Sequence, residues 1–383
     1  MNPLYAGLPT TIFARMSALA AEHKAVNLGQ GFPDFGWPED VVAKAAEALS
    51  GSNQYAPMPG LAELRCAVAD HYRRVQGLDV AADEVTITSG ATEALAAALF
   101  ALITPGDEVV LFQPLYDAYL PLVLRAGGVP RYVRLAPPDW RITEEALAAA
   151  FTPKTRLVVF NNPHNPSARV FTAEELALLA AACVAHDAVA LTDEVWEHLV
   201  FDGRAHRPLA AFPGMAERTV KIGSAGKIFS LTGWKVGWAV APLTLGEPIR
   251  KAHQFLTFAT APNLQAAVAY GLGKDAATFD AMRAGFAEAR DHLAAGLTAA
   301  GYTTLASEGT YFLSLDLAAS GLAVDDLTFC ERTVRKAGVA AIPVSSFYAE
   351  DPVTSVVRLC FAKTRNTLDA AIERLDAARR LFA

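Results

Sequence analysis

The sequence has few cysteines and no obvious metal-binding or disulfide pattern. Its four cysteines, Cys66, Cys183, Cys330 and Cys360, lie far apart along the 383 residues, and none belongs to a C-x-x-C pair. This spacing favours neither a zinc site nor a disulfide framework. A reduced, cytoplasmic setting is the simplest prediction from this cysteine usage.

The sequence also lacks an excess of positive charge and a long hydrophobic run. The formal net charge is −7, whereas a large nucleic-acid interface normally needs a basic face. The longest stretch without Asp, Glu, Lys or Arg, from Ala252 to Gly273, contains histidine, glutamine, asparagine and proline. These residues would be costly in a bilayer. The N-terminus has no signal-peptide pattern. We therefore predict a cytoplasmic protein with neither nucleic-acid nor membrane partners.

Short β-branched runs alternate with helical patterns through the middle of the chain. The runs are EVTITSG, DEVVLFQP, TRLVVFNNP, AVALTDE, TVKIGSAGK and KVGWAVAP. This alternation predicts an α/β fold with a large, mostly parallel sheet covered by helices on both faces. In such sheets ligands bind beyond the carboxyl ends of the strands.

The pattern changes near residue 275, where longer helices and the segments GTYFLSLDL, VAAIPVS and VVRLCFA follow. We interpret this part as a smaller α+β domain. The predicted division is an N-terminal arm with part of the small domain over 1–40, a large domain over 41–274, and the small C-terminal domain over 275–383.

Two lysines stand in the unusual segment SAGKIFSLTGWKVGW. Lys227 and Lys235 have apolar and glycine neighbours, with no acid nearby to pair with them. A lysine used in chemistry is often desolvated, because loss of water favours the neutral, nucleophilic amine. The alternative is that both side chains extend from a partly buried loop to solvent.

Polar residues follow several of the predicted strands. The turn Ser89–Thr92 begins a helix whose free N–H groups suit a phosphate, although any strand–helix unit has such a turn. Asp193 ends a buried strand and is either a helix cap or the partner of a cation. The segment NNPHNPS, Asn161 to Ser167, is either a rigid loop that aims an amide or a plain turn.

Two further side chains admit a structural and a functional interpretation. Tyr116 follows a strand and either stacks on a flat ligand or covers the core. Arg358 interrupts the apolar strand VVRLCFA and either projects to solvent or binds a carboxylate with both guanidinium arms. One ligand uses all of these features, namely pyridoxal phosphate carrying an amino acid.

Six segments in their order along the chain resemble a known family: NLGQGFPDF, NQYAPMPG, NNPHNPS, TDEVWEHL, SAGKIFSLTGWKVGW and RLCFAK. Over nearly its whole length the chain resembles the class I/II aminotransferases of fold type I, which depend on pyridoxal phosphate. Within the family it resembles most the methionine, glutamine and kynurenine aminotransferases, bacterial methionine aminotransferases in particular.

The resemblance implies a role for each matching residue around the cofactor ring. It makes Lys227 the Schiff-base lysine and places Asp193 at the pyridine nitrogen. It also gives Asn165 a hydrogen bond to the ring oxygen O3′ and stacks Tyr116 on the ring.

The resemblance assigns a second group to the cofactor phosphate. This group comprises the backbone amides of Ala91 and Thr92 together with Ser224 and Lys235. Tyr55 would reach the phosphate of the neighbouring subunit, which implies a homodimer with shared active sites.

The resemblance implies that Arg358 binds the α-carboxylate of the substrate, together with Asn165 and the backbone of Gly31. Phe13 and Tyr55 would line the side-chain pocket.

The sequence departs from the family pattern at Trp196, because the family usually has tyrosine there, with a hydroxyl that donates to O3′. An indole offers only its N–H. We predict that the cofactor imine of Lys227 has a higher pKa than in a Trp196→Tyr variant, because the O3′ anion loses a donor.

The implied activity is ping-pong transamination from a neutral apolar or aromatic L-amino acid, methionine-type favoured, to a 2-oxo acid. Two alternatives share the same cofactor residues: a cysteine-conjugate C–S β-lyase and a succinyl-diaminopimelate-type transaminase. A non-catalytic regulator that binds the cofactor is disfavoured, because Lys227, Asp193, Asn165 and Arg358 are all present.

Overall fold

The computed structural model describes residues 1–35 and 38–382. Its strands, β1 to β13, are Val26–Asn27, Val85–Thr88, Glu108–Gln113, Val129–Arg134, Thr155–Asn161, Val189–Asp193, Thr219–Ser224, Gly237–Val240, Thr303–Thr304, Phe312–Asp316, Val339–Ala340, Ile342–Pro343 and Val356–Cys360.

The α-helices, α1 to α14, are Pro3–Gly7, Ile12–Glu22, Glu39–Ala48, Ala62–Gln76, Gly90–Leu102, Tyr119–Ala126, Glu144–Ala150, Ala173–Ala185, Ala225–Ile228, Leu243–Leu256, Pro262–Leu272, Ala276–Ala299, Asp326–Ala337 and Arg365–Arg379. Short 3₁₀ helices lie at Ala82–Glu84, Leu209–Ala211, Ala216–Arg218, Thr232–Trp234 and Val344–Phe347. Among the described residues, no helix is both long and apolar enough to cross a membrane.

Strands β2 to β8 form one sheet in the order β2-β8-β7-β6-β5-β3-β4. Every pairing is parallel except those of β8, which runs antiparallel to both β2 and β7. The central strands are buried along almost their whole length, as expected for a sheet covered on both faces. The predicted α/β architecture with a mostly parallel sheet is therefore confirmed.

The remaining strands join the N-terminal and C-terminal parts of the chain. Strand β13 pairs antiparallel with both β10 and β12, and β9 extends this sheet on the other side of β10. Strand β1 pairs in parallel with β11, so the segment after β1 lies beside the C-terminal strands. The domain bounds at 40/41 and 274/275 stay a prediction.

The parallel strands bring polar side chains to one edge of the large sheet. Strands β5, β6 and β7 end at Asn161, Asp193 and Ser224, and the turn after β2 leads into α5 at Gly90. Because parallel strands end at the same edge, residues that are distant in sequence meet there. The candidate site lies at this edge.

Candidate active site

A cavity of ≈ 160 Å³ opens at the carboxyl edge of the large sheet. Its lining includes most of the residues that the sequence analysis singled out for the cofactor: Ala91, Thr92, Tyr116, Asn165, Asp193, Trp196, Ser224, Lys227 and Lys235. The fold therefore brings together residues from the ends of five different strands, β2, β3, β5, β6 and β7.

Lys227 lies on the short helix α9, directly after β7. Its Nζ donates a hydrogen bond to Tyr311 Oη at 3.1 Å and lies 4.7 Å from the ring centroid of Trp196. In the part of the chain that the structure describes, no carboxylate comes within ion-pair distance of this amine. Enclosure by protein lowers the pKa of Lys227 from 10.5 to about 8. The amine is thus available in its neutral form close to neutral pH.

Asp193 ends β6 and is buried. Tyr119 Oη donates to its Oδ2 at 2.6 Å, and the N–H of Val195 donates to its Oδ1 at 3.3 Å. Burial raises the pKa of Asp193, although both hydrogen bonds oppose that shift. Neither oxygen meets a basic side chain at ion-pair distance among the described residues, so the carboxylate can accept a cationic N–H from a ligand.

The start of α5 forms a second wall of the cavity. The first N–H groups of a helix have no partner inside the helix, and Gly90, Ala91 and Thr92, the first three residues of α5, line this space. A Cβ at Gly237 would lie 2.7 Å from the backbone nitrogen of Ala91 and would push this turn away. A Cβ at Gly90 would lie 3.1 Å from Lys235 Nζ, so an ammonium group stands at the helix start. This wall suits a phosphate.

The two lysines of the segment from Ser224 to Trp238 differ in their environment. Lys235 is exposed at the mouth of the cavity and has the left-handed φ of 55°. Lys227 is only partly exposed, through the cavity. The interpretation that both side chains reach bulk solvent is therefore wrong for Lys227, because helix α9 turns it inward.

Arg358 lies on β13 and is 1% exposed, so the interpretation that it projects to solvent is wrong. Its Nη1 donates to Asn165 Oδ1 at 2.7 Å and its Nη2 donates to Gly29 O at 3.0 Å. Its Nε has no hydrogen-bond partner among the residues that the structure describes. Burial lowers the pKa of Arg358 from 12.5 to about 10. An unsatisfied donor on a buried guanidinium is costly, and an anionic group would satisfy it.

Aromatic side chains surround this guanidinium. Its central carbon lies 3.8 Å from the ring centroid of Phe312, 5.2 Å from that of Phe13 and 5.3 Å from that of Phe347. Phe13 thus lies beside Arg358, and its role in the side-chain pocket stays a prediction. The carbonyl of Gly31 accepts a hydrogen bond from Tyr311 Oη, which puts the backbone of Gly31 close to Lys227.

Four predicted site residues, Phe13, Gly31, Tyr55 and Arg358, do not line this cavity. Among them, Tyr55 lies on the surface. It is 87% exposed, and its ring contacts Phe258 at a centroid distance of 5.5 Å. On the single chain the side chain of Tyr55 therefore lies at the surface. The role predicted for it in a neighbouring subunit stays a prediction.

Three residues of the site were missed from the sequence. Tyr119 binds Asp193, and its place one helical turn after Tyr116 was the available signal. Gly29 accepts from Arg358, and Tyr311 accepts from Lys227. Neither has a local signal, because each contact joins segments far apart in the chain.

The chain matches the family "Aminotransferase class I and II" over residues 23–375. The chain belongs to this family. It is a transaminase, and pyridoxal phosphate is the cofactor of the family. The resemblance stated from the sequence motifs is confirmed.

Several transaminases are similar to this one over most of their length. A probable N-succinyldiaminopimelate aminotransferase of Mycobacterium tuberculosis is 47% identical, with 96% of each chain covered. The methionine aminotransferase of Escherichia coli is 43% identical, again with 96% of each covered. The solved N-succinyldiaminopimelate aminotransferase structure from M. tuberculosis has a TM-score of 0.95 at 46% identity, covering 99% of this transaminase and 100% of that chain.

The cavity of this transaminase fits pyridoxal phosphate. Helix α5 presents free N–H groups to an anion, and Gly237 leaves room for that turn. In the part of the chain that the structure describes, Asp193 is a buried acid with no basic side chain at ion-pair distance, and Lys227 is an amine with no carboxylate at that distance. The Nε of Arg358 meets no hydrogen-bond acceptor among residues 1–35 and 38–382.

Proposed function

We propose that this transaminase transfers the amino group of a neutral L-amino acid with an apolar or aromatic side chain, methionine in particular, to a 2-oxo acid. The observation that carries this proposal is the surroundings of Arg358, a buried guanidinium with a free Nε packed among three phenylalanine rings. A carboxylate would satisfy the guanidinium, while the rings favour an uncharged side chain nearby.

The cofactor would be held at four points of the cavity. The N–H groups of Ala91 and Thr92, with Ser224 and Lys235, would bind its phosphate. Asp193 would accept from its ring nitrogen.

Two other side chains would contact the cofactor ring. Asn165 would donate to the ring oxygen, and Tyr116 would stack on the ring face. When bound, pyridoxal phosphate supplies an electron sink for the negative charge that develops at the substrate Cα.

Lys227 would carry the proton in this reaction. Because its pKa is lowered to about 8, a useful fraction of the amine is neutral near neutral pH and can accept the Cα proton. The resulting ammonium is stabilised by the faces of nearby aromatic rings, since its nitrogen lies 4.7 Å from the centroid of Trp196. The same group would then return the proton.

Arg358 and Asn165 would orient the substrate. The guanidinium binds Asn165 Oδ1 and Gly29 O, which fix its plane and leave Nε free. A carboxylate docked there would hold the Cα–H bond near Lys227. This fixed orientation would lower the entropic cost of proton transfer. Phe13 would contact the substrate side chain, beside Gly31.

We also propose that the active form is a homodimer. An exposed aromatic patch of Tyr55, Phe255 and Phe258 supports this, because its members are 87%, 85% and 40% exposed on the single chain. In a dimer, Tyr55 would reach the phosphate site and the side-chain pocket of the other subunit. Sedimentation equilibrium of the holoenzyme tests the assembly, and a monomer at micromolar concentration would contradict it.

N-succinyl-diaminopimelate is the second candidate donor, favoured by the 47% identity to the M. tuberculosis relative. The deciding experiment mixes the holoenzyme separately with methionine, phenylalanine, glutamine, aspartate and N-succinyl-diaminopimelate and follows the cofactor absorbance. Fast conversion with methionine or phenylalanine supports the proposal. Conversion with N-succinyl-diaminopimelate alone supports the second candidate. Pyruvate released from a cysteine conjugate without a matching 2-oxo acid indicates the β-lyase.

A further inference from the structure

Tyr311 stands beside the amine of Lys227 but belongs to none of the family motifs considered above. It directly precedes β10 and is 1% exposed. The N–H of Phe361 donates to its backbone carbonyl at 3.0 Å, which ties this residue to the end of the strand that carries Arg358. Its ring makes an edge contact with Trp196 at a centroid distance of 4.4 Å. The side chain is therefore held rigidly.

The hydrogen bonds of the Tyr311 hydroxyl have a definite direction. A phenol has one proton to donate and lone pairs to accept. The proton goes to the carbonyl of Gly31, which can only accept. The oxygen therefore accepts from Lys227 Nζ, at 3.1 Å. Burial raises the pKa of Tyr311 well above its usual value, so the phenol keeps its proton and does not exchange it with the lysine.

These bonds connect the lysine to the arginine. Lys227 donates to Tyr311, and Tyr311 donates to Gly31. Two residues earlier in the same backbone segment, Gly29 accepts from Arg358. The amine on helix α9 and the guanidinium on strand β13 are thus both linked by hydrogen bonds to one short stretch of backbone, 29–31.

Trp196 has no group that could replace this acceptor. Its indole nitrogen is a donor only, and its ring faces the ammonium without a lone pair. Among the described residues, the Tyr311 oxygen is the hydrogen-bond acceptor that Lys227 Nζ contacts.

We propose that Tyr311 is a positioning residue whose phenol oxygen holds the amine of Lys227 in line with the carboxylate site at Arg358. This inference rests on the proposed function, in which Lys227 carries the proton and Arg358 binds the carboxylate. It adds that the direction of the amine is set by a residue from the C-terminal part of the chain.

The test compares Tyr311→Phe with a matched control, Tyr302→Phe. Tyr302 is also buried, and its hydroxyl donates to a backbone carbonyl, that of Leu375, at 2.8 Å. In single-turnover reactions of the holoenzyme with methionine, Tyr311→Phe should slow the half-reaction by about 10- to 100-fold with little change in KM, because misdirected groups lose rate rather than affinity. The kinetic isotope effect of α-deuterated methionine should rise. Tyr302→Phe should change neither.

A readout that does not depend on turnover is the pKa of Lys227 in the cofactor-free enzyme, measured as the pH dependence of its labelling by an amine-reactive reagent. A hydrogen bond to the phenol favours the ammonium form, so Tyr311→Phe should lower this pKa. If Tyr311→Phe does not fold, difluorotyrosine at position 311 keeps the ring while weakening the acceptor. Difluorotyrosine should then lower the pKa of Lys227 by less than the amount expected for Tyr311→Phe.

Borohydride reduction of the holoenzyme, followed by peptide mass spectrometry, separates the two levels of the proposal. Cofactor fixed at another lysine overturns the proposed function. Cofactor fixed at Lys227, with the labelling pKa and isotope effect of the Tyr311 variants equal to those of the parent enzyme, overturns only the role of Tyr311.

Discussion

Two lysines six residues apart, Lys221 and Lys227, occupy opposite electrostatic environments. Lys221 lies in β7, is 1% exposed, and donates to both Glu194 and Glu197. Burial by itself lowers its pKa, but the two carboxylates outweigh burial and hold the pKa above 10.5. For Lys227, burial dominates and lowers the pKa to about 8. A buried lysine thus serves structure or chemistry according to whether acids pair with it.

The pairing of Lys221 also supports the active site. Glu194 and Glu197 belong to the segment that carries Asp193 and Trp196, so the ion pairs attach this segment to β7. Tyr72 donates to Glu197 and adds a further link to the network. In this network Glu194 and Glu197 bind Lys221, whereas Lys227 and Asp193, which line the cavity, form no ion pair among the described residues.

The largest effect is expected when Lys227 is removed. Lys227→Ala should slow the half-reaction with methionine by about 10⁴-fold or more, because it loses the group that moves the proton. The thermal midpoint of the cofactor-free enzyme near neutral pH should not fall below that of the parent, because the lowered pKa means that the native state disfavours the charged amine. Stopped-flow absorbance and circular dichroism measure the two quantities. A variant that retains more than a hundredth of the rate would contradict the assignment.

The opposite outcome is expected for Lys221. Lys221→Met should reduce the free energy of unfolding by about 3–5 kcal/mol, because two buried carboxylates lose their counter-charge. Urea denaturation measures the loss. The matched control is the triple variant that adds Glu194→Gln and Glu197→Gln, which removes the stranded charges and should recover part of the stability. If the single variant is as stable as the parent, the network contributes nothing.

The two lysines should also give stability opposite pH dependence. Between pH 8 and pH 10.5 the unfolded chain holds the proton of Lys227 and the native chain does not, so the free energy of unfolding rises with pH. The gain relative to Lys227→Met should be on the order of 3 kcal/mol across this window. The contribution of Lys221 to the free energy of unfolding is constant below pH 10.5 and decreases above it, because the pKa of Lys221 is raised in the native state. Urea midpoints of the cofactor-free proteins at a series of pH values would show this, and a flat difference between the two proteins would refute the lowered pKa.

The smallest effect is expected at Tyr119, the partner of Asp193. Tyr119→Phe removes a hydrogen bond of 2.6 Å to the carboxylate, so the pKa of Asp193 should rise further. Cofactor affinity should fall about tenfold, in keeping with the net value of one such bond. Titration of the cofactor-free enzyme with pyridoxal phosphate measures this Kd. Tyr302→Phe is the control, and an equal change in both variants would show a non-specific effect.

Much of the fold could be predicted from the sequence, because alternating β-branched and helical segments are local patterns. The residues Lys227, Asp193, Asn165 and Arg358 were found because their motifs keep a characteristic order and spacing. Strand β4 went unnoticed because VPRYVR is only partly buried and shows a weak apolar pattern. The orientation of Arg358 stayed open, because one residue of register decides which face of a strand a side chain occupies.

The sequence by itself determined the family and the α/β layers and singled out the lysine, the acid and the arginine of the proposed site, since these follow from local periodicity and motif spacing. Only the tertiary structure decided which of the two buried lysines is paired and that Arg358 points inward. It also placed the Tyr311 hydroxyl against the amine of Lys227 and the Tyr119 hydroxyl against the carboxylate of Asp193. These features depend on contacts between segments far apart in the chain, and packing and burial set such contacts.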